Sequence, residues 1–260
     1  MARQSAELGE LGTAYERGRG RIFDLVSGLD EETASGRVPA CPSWSIHDLL
    51  AHLAGNCTDI VTGNIAGAAT EPWTAAQVEA RRDWALPKVL AEWSEVGPQI
   101  AAMLDEFPGR YGSQVVADLA SHEHDLYGAL RRTGERDSES VAIGIDFLVT
   151  VVLHPAMVSF GVGPLDVKVA DRSWIVGTGD VAAQDPDLWR TAAGSDELIS
   201  PPTRTPAGMV STEPFELFRA IAGRRSAAQI RAFEWTVDPE PYLPTFGYGP
   251  FTVRPTDLDE

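Results

Sequence analysis

The sequence predicts an α+β protein with a helical domain over residues 1–162 and a smaller mixed α/β domain over residues 163–260. Apolar side chains recur every three or four residues through the first part, which is typical of amphipathic helices. Beyond Gly161 apolar and polar residues alternate instead, as they do in half-buried strands. Apolar residues make up 43% of the 260 residues, enough for a sizeable core.

The apolar spacing within residues 1–162 predicts five helical stretches. The third is interrupted by Pro87 and Pro98, where we expect breaks or kinks. The last is strongly apolar, so we expect it to be buried among other elements. The predicted stretches cover residues 6–29, 46–65, 74–106, 111–132 and 139–159.

The second helix has the clearest start. Ser45 followed three residues later by Asp48 predicts a capping box, in which the two side chains satisfy the first free amides of the helix. His52 shares an apolar stripe with Leu49 and Leu53, so we expect its imidazole to lie on the buried face.

The smaller domain is expected to begin with a β-hairpin. Its strands cover residues 165–170 and 173–177, with a turn near Asp171. A helix is predicted over residues 213–222. The tail over residues 239–260 contains too many aromatic residues to be disordered, so we expect it to pack on a domain surface.

Composition excludes several classes of partner. With 21 basic and 38 acidic residues the formal charge is −17, which argues against binding to nucleic acid or anionic membranes. No run of eighteen apolar residues is present and the N-terminus is polar, so neither a membrane span nor a signal peptide is expected. We therefore expect a cytoplasmic protein in which Cys41 and Cys57 remain thiols.

The residues with the clearest chemical potential are His52, Asp118 and His122. Asp118 and His122 are four residues apart, about 40° around a helix, so both project from one face. A second helix would supply His52. Two histidines and one carboxylate leave a coordination position open on a divalent metal, which is typical of catalytic sites. His124 points about 200° away from His122 and is the weaker candidate.

The alternative is that these three residues have only a structural role and bind no metal. A histidine flanked by Leu and Ala is often hydrogen-bonded at the edge of a core, and an Asp and His four residues apart are often a solvated pair. Arginine pairs, at positions 81–82, 131–132 and 224–225, are able to bind carboxylates in bidentate fashion but are commonly solvated. No phosphate-binding glycine motif indicates a nucleotide cofactor.

Four segments of the chain resemble the mycothiol-dependent maleylpyruvate isomerase family. The first runs from Cys-Pro-Ser-Trp to His-Leu-Ala-Gly, and the second contains Asp-Leu-Ala-Ser-His-Glu-His-Asp-Leu. The others are a helix with an Arg-Arg pair and a closing aromatic segment. These segments are residues 41–55, 118–126, 215–226 and 235–254.

The resemblance implies a DinB-like, up-down four-helix bundle with metal ligands His52, Asp118 and His122. The family pattern usually has Glu where this chain has Asp118, so a ligand role for Glu123 or His124 stays open. The resemblance also places Arg224 or Arg225 at a position that could face the metal across a domain crevice, as a catalytic cationic group.

The function implied by the resemblance is thiol transfer or isomerisation. Zn²⁺, or another divalent metal, would bind the thiol of mycothiol and stabilise its thiolate for attack on a small electrophilic substrate. Asp125 would orient a ligand histidine. The implied partners are a small-molecule thiol and the electrophile, and the chain is expected to be a monomer or homodimer.

Two alternatives belong to other functional classes. In the first, the bundle binds the metal but catalyses no reaction, and the chain is a small-molecule-binding protein. The presence of Asp118 where the family pattern has Glu favours this alternative. A metal-dependent hydrolase would share the ligands but needs a carboxylate base beside the metal, and Glu123 is predicted to point away.

Overall fold

The computed structural model describes residues 10–106, 110–177 and 205–260. Contacts divide these residues into two compact units. The helical unit contains mainly residues 10–106 and 118–135, and the mixed unit contains mainly residues 110–117, 136–177 and 205–259. The α+β class and the helical character of the N-terminal part are confirmed.

The helical unit contains long helices and one short hairpin. The helix predicted over residues 6–29 is described from residue 10 and ends at residue 26. Helix α6, Arg110–Ala129, begins in the mixed unit and continues into this one. The elements are α1 Glu10–Val26, α2 Glu31–Ala34, β1 Arg37–Val38, β2 Cys41–Ser45, α3 Ile46–Thr62, α4 Glu71–Arg81, α5 Leu86–Glu106 and α6 Arg110–Ala129.

Helix α3 begins with the predicted capping box. The Ser45 hydroxyl accepts from the Asp48 amide at 3.0 Å, and the Asp48 carboxylate accepts from the Ser45 amide at 2.9 Å. The helix ends at Thr62, three residues earlier than predicted, because Gly63 adopts a left-handed conformation with φ of 75°.

The stretch predicted over residues 74–106 is two helices. The chain leaves the helical conformation after Arg81 and re-enters it at Leu86, so the break predicted near Pro87 is confirmed. Pro87 lies in the first turn of α5, where a missing amide costs little. Pro98 lies within α5 and does not end it.

A hydrogen-bonded triad joins three helices in the core of the helical unit. Trp93 of α5 donates from Nε1 to the Tyr15 hydroxyl of α1 at 3.1 Å. That hydroxyl is also hydrogen-bonded to Cys57 Sγ of α3 at 2.9 Å. Burial raises the pKa of Cys57 to about 12, so this residue is a neutral thiol in the core.

Helices α3 and α4 approach closely at Gly55. A Cβ atom at this position would lie 2.6 Å from Gln77 Cβ and 2.7 Å from Arg81 Nη1. We expect Gly55→Ala to destabilise the protein by about 1–3 kcal/mol because a methyl group would force α4 outward. Thermal denaturation measures this effect.

Gly20 is the matched control for Gly55, since it is exposed in helix α1 and a Cβ there meets nothing within 4 Å. Gly20→Ala should stabilise the protein by about 0.5–1 kcal/mol through helix propensity. Equal effects of the two substitutions would show that α3 and α4 are not closely packed at Gly55.

The mixed unit pairs a helical segment with a four-stranded sheet. Its strands are β3 Leu165–Val169, β4 Arg172–Val176, β5 Gly208–Ser211 and β6 Glu234–Trp235, in the order β4-β3-β5-β6. Strands β3 and β4 form the predicted antiparallel hairpin, β3 and β5 pair in parallel, and β5 and β6 are antiparallel. The helix predicted over residues 213–222 is observed as α9, Pro214–Ile221. The elements are α7 Glu139–Phe147, a π-helical segment Leu148–Leu153, α8 His154–Ser159, β3 Leu165–Val169, β4 Arg172–Val176, β5 Gly208–Ser211, α9 Pro214–Ile221, α10 Ala227–Arg231, β6 Glu234–Trp235 and a 3₁₀ turn Leu243–Phe246.

The division into units does not coincide with the predicted domain boundary at residue 162. Residues 139–159 group with the strands that follow them. Gly144 of α7 lies against the Phe218 ring of α9, and Asp146 accepts from Trp174 Nε1 of β4 at 3.1 Å. The helical periodicity of residues 139–159 shows their secondary structure but not the layer on which they pack.

Within the described residues, the helical stretch 139–159 is long and apolar enough to cross a membrane. Of the apolar window in it, 72% is buried inside the folded chain, as expected for a core helix. In the tail, Tyr242, Leu243 and Phe246 are buried, so the prediction that this segment packs on the fold is confirmed.

Candidate metal centre

Helices α3 and α6 bring together the three predicted ligands. The Asp118 carboxylate lies between two imidazoles, with Oδ2 3.5 Å from His52 Nε2 and Oδ1 3.6 Å from His122 Nε2. All three candidate ligand atoms lie within 4.8 Å of one another. Ligand atoms around tetrahedral zinc are about 3.3 Å apart, close to the two oxygen–nitrogen distances observed here.

The two histidines are buried, whereas the aspartate is partly exposed. His52 and His122 are 4% and 7% exposed, whereas the Asp118 side chain is 33% exposed. Asn56 Nδ2 also donates to Asp118 Oδ2 at 3.3 Å. The shorter side chain at position 118 therefore still reaches both imidazoles, and it does so on the more accessible side of the cluster.

His52 is held by a buried amide of α4. Its Nδ1 lies 2.8 Å from Gln77 Oε1, and Gln77 Nε2 donates to Asp59 Oδ2 at 2.8 Å. The Asp59 carboxylate accepts only, so it fixes the orientation of the Gln77 amide. Gln77 Oε1 must then accept from His52 Nδ1, so Nε2 is the nitrogen that faces Asp118 and that the neutral imidazole offers to a metal.

His122 is held in the same way by a carboxylate. Its Nδ1 lies 3.0 Å from Asp125 Oδ2, and Asp125 is 1% exposed. In the neutral imidazole, donation from Nδ1 to Asp125 leaves the lone pair on Nε2, as in the carboxylate–histidine pairs that support metal sites. Both imidazoles therefore present Nε2 to the same point.

Trp44 of β2 packs against both imidazoles. Its ring centroid lies 5.1 Å from that of His52 and 5.8 Å from that of His122. The imidazoles themselves are edge to face, 5.2 Å apart. The sequence did not identify Trp44 or Gln77 as part of the site, because only the packing of β2 and α4 on α3 and α6 brings them there.

The alternative ligands lie elsewhere. Glu123 is completely buried in a bidentate ion pair with Arg21 of α1, at 2.6 and 2.9 Å. His124 is 3% exposed and packs near the Tyr127 ring. Among the described residues, neither belongs to a group with metal-ligand spacing.

The predicted cationic residues belong to the mixed unit. Arg225 is 3% exposed and donates to both carboxylate oxygens of Glu216, at 2.6 and 2.9 Å. These bonds hold the pKa of Glu216 below its usual range. Arg224 is half-buried and donates from Nη1 to the Ala222 carbonyl at 2.6 Å.

The support from Gln77 is testable. We expect Gln77→Leu to weaken zinc binding roughly 10- to 100-fold, because His52 Nδ1 would lose its acceptor and both ring orientation and tautomer would be free to change. Competition with a chromophoric chelator measures the affinity. Gln99→Leu, on the exposed face of α5, is the control, and an unchanged affinity in Gln77→Leu would show that His52 needs no such support.

One comparison with known proteins gives a match. The family model described as the mycothiol maleylpyruvate isomerase N-terminal domain matches residues 15–137. No curated protein and no solved structure matches the chain. The matched segment contains His52, Asp118 and His122 together with their supports Gln77 and Asp125.

Proposed function

We propose that the chain, whose residues 15–137 match the model of the mycothiol maleylpyruvate isomerase N-terminal domain, is a metal-dependent enzyme that uses a small-molecule thiol. The metal, zinc or another divalent ion, would be held by His52, Asp118 and His122. One observation carries the proposal: the Nδ1 atoms of both histidines are engaged by acceptors, so both Nε2 atoms are available beside one carboxylate.

Three protein ligands leave a fourth position for a thiol of the mycothiol type. A bound zinc ion would lower the pKa of that thiol and supply a thiolate near neutral pH. The protein contributes orientation: Gln77 and Asp125 hold the imidazoles, and Trp44 packs against both rings. The partly exposed Asp118 side is where small molecules would approach.

Isomerisation or transfer on a small electrophile is favoured over hydrolysis. A metal-dependent hydrolase needs a carboxylate base beside the attacking water. The neighbouring carboxylate considered for that role, Glu123, is fully buried against Arg21. The Asp125 carboxylate accepts from His122 and from Cys41.

The direct test is thiol-dependent turnover by the full-length chain loaded with zinc. Mycothiol would be supplied with maleylpyruvate and a panel of small electrophiles, and products followed by mass spectrometry. We expect conversion that requires both thiol and metal and that is lost in Asp118→Ala. His47→Ala is the control, because His47 lies on the same helix as His52 but bonds the Trp84 carbonyl. Conversion that is independent of the thiol would contradict the proposal.

Arg224 and Arg225 remain the proposed groups for a substrate carboxylate. Arg224 is the better candidate, because its side chain is half-buried and therefore more accessible than Arg225, which is 3% exposed. We expect Arg224→Gln to raise KM for a carboxylate-bearing substrate about tenfold or more, as expected when a charged hydrogen bond is lost. Steady-state kinetics measures this. Arg82→Gln, an exposed arginine of the helical unit, is the control, and equal KM values would exclude this role for Arg224.

A further inference from the structure

A second group of metal-ligating side chains lies beside the first and shares one residue with it. It consists of Cys41 of β2 with His122 and Asp125 of α6, and one ligand atom from each lies within 4.8 Å of the others. Asp125 Oδ2 is the centre of the group. It is 3.4 Å from Cys41 Sγ and 3.0 Å from His122 Nδ1.

The sulfur–oxygen distance of 3.4 Å matches an edge of a tetrahedral coordination sphere, and the nitrogen–oxygen distance of 3.0 Å would lengthen slightly on metal binding. With metal–sulfur bonds of about 2.3 Å and metal–nitrogen or metal–oxygen bonds of about 2.0–2.1 Å, neighbouring ligand atoms lie roughly 3.3–3.6 Å apart. Asp125 and His122 are 1% and 7% exposed, whereas Cys41 is half-buried. The group therefore has two fixed, buried ligands and one more accessible sulfur.

We propose that Cys41, His122 and Asp125 form a second metal position that takes a borderline or soft divalent cation such as zinc, cobalt or cadmium. The thiolate selects such ions over magnesium or calcium. Binding would release the proton of the Cys41 thiol, and the proton that His122 Nδ1 shares with Asp125 would move to Nε2 so that Nδ1 is able to bind the metal. The position uses neither His52 nor Asp118.

The two positions are coupled through His122. The first position needs Nε2 and a hydrogen bond from Nδ1 to Asp125, whereas the second uses Nδ1 and Asp125 themselves as ligands. Filling the second position removes the support of the first. Excess soft metal should therefore weaken the first position.

Anaerobic titration of the reduced, metal-free full-length chain with cobalt tests the proposal. Cobalt bound to a thiolate shows a sulfur-to-metal charge-transfer absorption that a site of nitrogen and oxygen ligands lacks. We expect this band in the wild type and in Cys57→Ala, which removes the core cysteine. It should be lost in Cys41→Ala and Cys41→Ser and persist in His52→Ala.

The His52→Ala result separates this inference from the proposed function. A band that persists in His52→Ala shows a position independent of the first, even if no thiol-dependent turnover is found. Loss of the band in folded His52→Ala would instead place Cys41 at the first position and overturn the proposal. Absence of the band at saturating cobalt in the wild type, or its presence in Cys41→Ala, would also overturn it. Zinc protection of Cys41 from alkylation in the wild type provides a readout that does not depend on any variant folding.

Discussion

Replacing either His52 or His122 by alanine is expected to abolish stoichiometric zinc retention at the His52, Asp118 and His122 position. Each substitution removes one of three protein ligands and leaves a two-ligand site, which cannot compete with chelators for zinc. The expected loss exceeds the roughly 10- to 100-fold effect of removing a supporting group such as Gln77. Metal content per chain after dialysis, measured by elemental mass spectrometry, checks this result.

His47→Ala is the control for His52→Ala, because it removes an imidazole from the same helix without touching the cluster. Cys41→Ala should be combined with each histidine variant, so that zinc bound by the second group is not counted. Retention of one zinc per chain in both double variants would show that these histidines have only a structural role. The family match alone would then not support a metal-dependent reaction for this chain.

Arg21→Ala is expected to destabilise the helical unit by about 3 kcal/mol, near the low end for a broken buried ion pair. Glu123 is completely buried, and the Arg21 side chain that neutralises it is 18% exposed. Without Arg21, the carboxylate would lose the cation that donates to both of its oxygens in the core. Chemical denaturation at neutral pH measures the change in the free energy of unfolding.

The pH dependence of the stability loss in Arg21→Ala tests whether the buried Glu123 carboxylate causes that loss. Burial already raises the pKa of Glu123 above its usual range, and loss of Arg21 should raise that pKa further. The folded state then binds more protons than the unfolded state, so stability falls as the pH rises through the raised pKa. The loss in Arg21→Ala should therefore be smaller at pH 5 than at pH 8.

Adding Glu123→Gln to Arg21→Ala should recover part of the lost stability and remove this pH dependence. Arg19→Ala, whose arginine pairs with the partly exposed Glu16, is the matched control and should cost much less. A loss in Arg21→Ala that is equal at pH 5 and pH 8 would show that packing of the arginine stem, rather than the buried charge, determines the effect.

Local patterns in the sequence determined the parts of the site that depend on one helix alone. Asp118 and His122 lie on one face of α6 because four residues span slightly more than one helical turn. Ser45 and Asp48 form the capping box that starts α3, and the apolar stripe of α3 places His52 on its buried face. The same patterns predicted the hairpin of β3 and β4 and the apolar helix of residues 139–159.

Tertiary structure decided the features that depend on residues distant in the chain. Gln77 is hydrogen-bonded to His52, which lies 25 residues away in the chain. Cys41 donates to Asp125, which lies 84 residues away. Helical spacing places Asp125 near His122, but only the packed structure shows that its carboxylate turns toward Nδ1. The parallel pairing of β3 with β5 was likewise not visible in either strand.

The physical reason for this difference is the range of the interactions. Periodicity and capping express hydrogen bonds and burial within a few residues, so they can be read along the chain. The hydrogen bonds that fix a tautomer, and the layer on which residues 139–159 pack, depend on how whole elements dock on one another. The sequence by itself therefore determined which side chains are able to bind a metal, and the tertiary structure decided which of their atoms face one another.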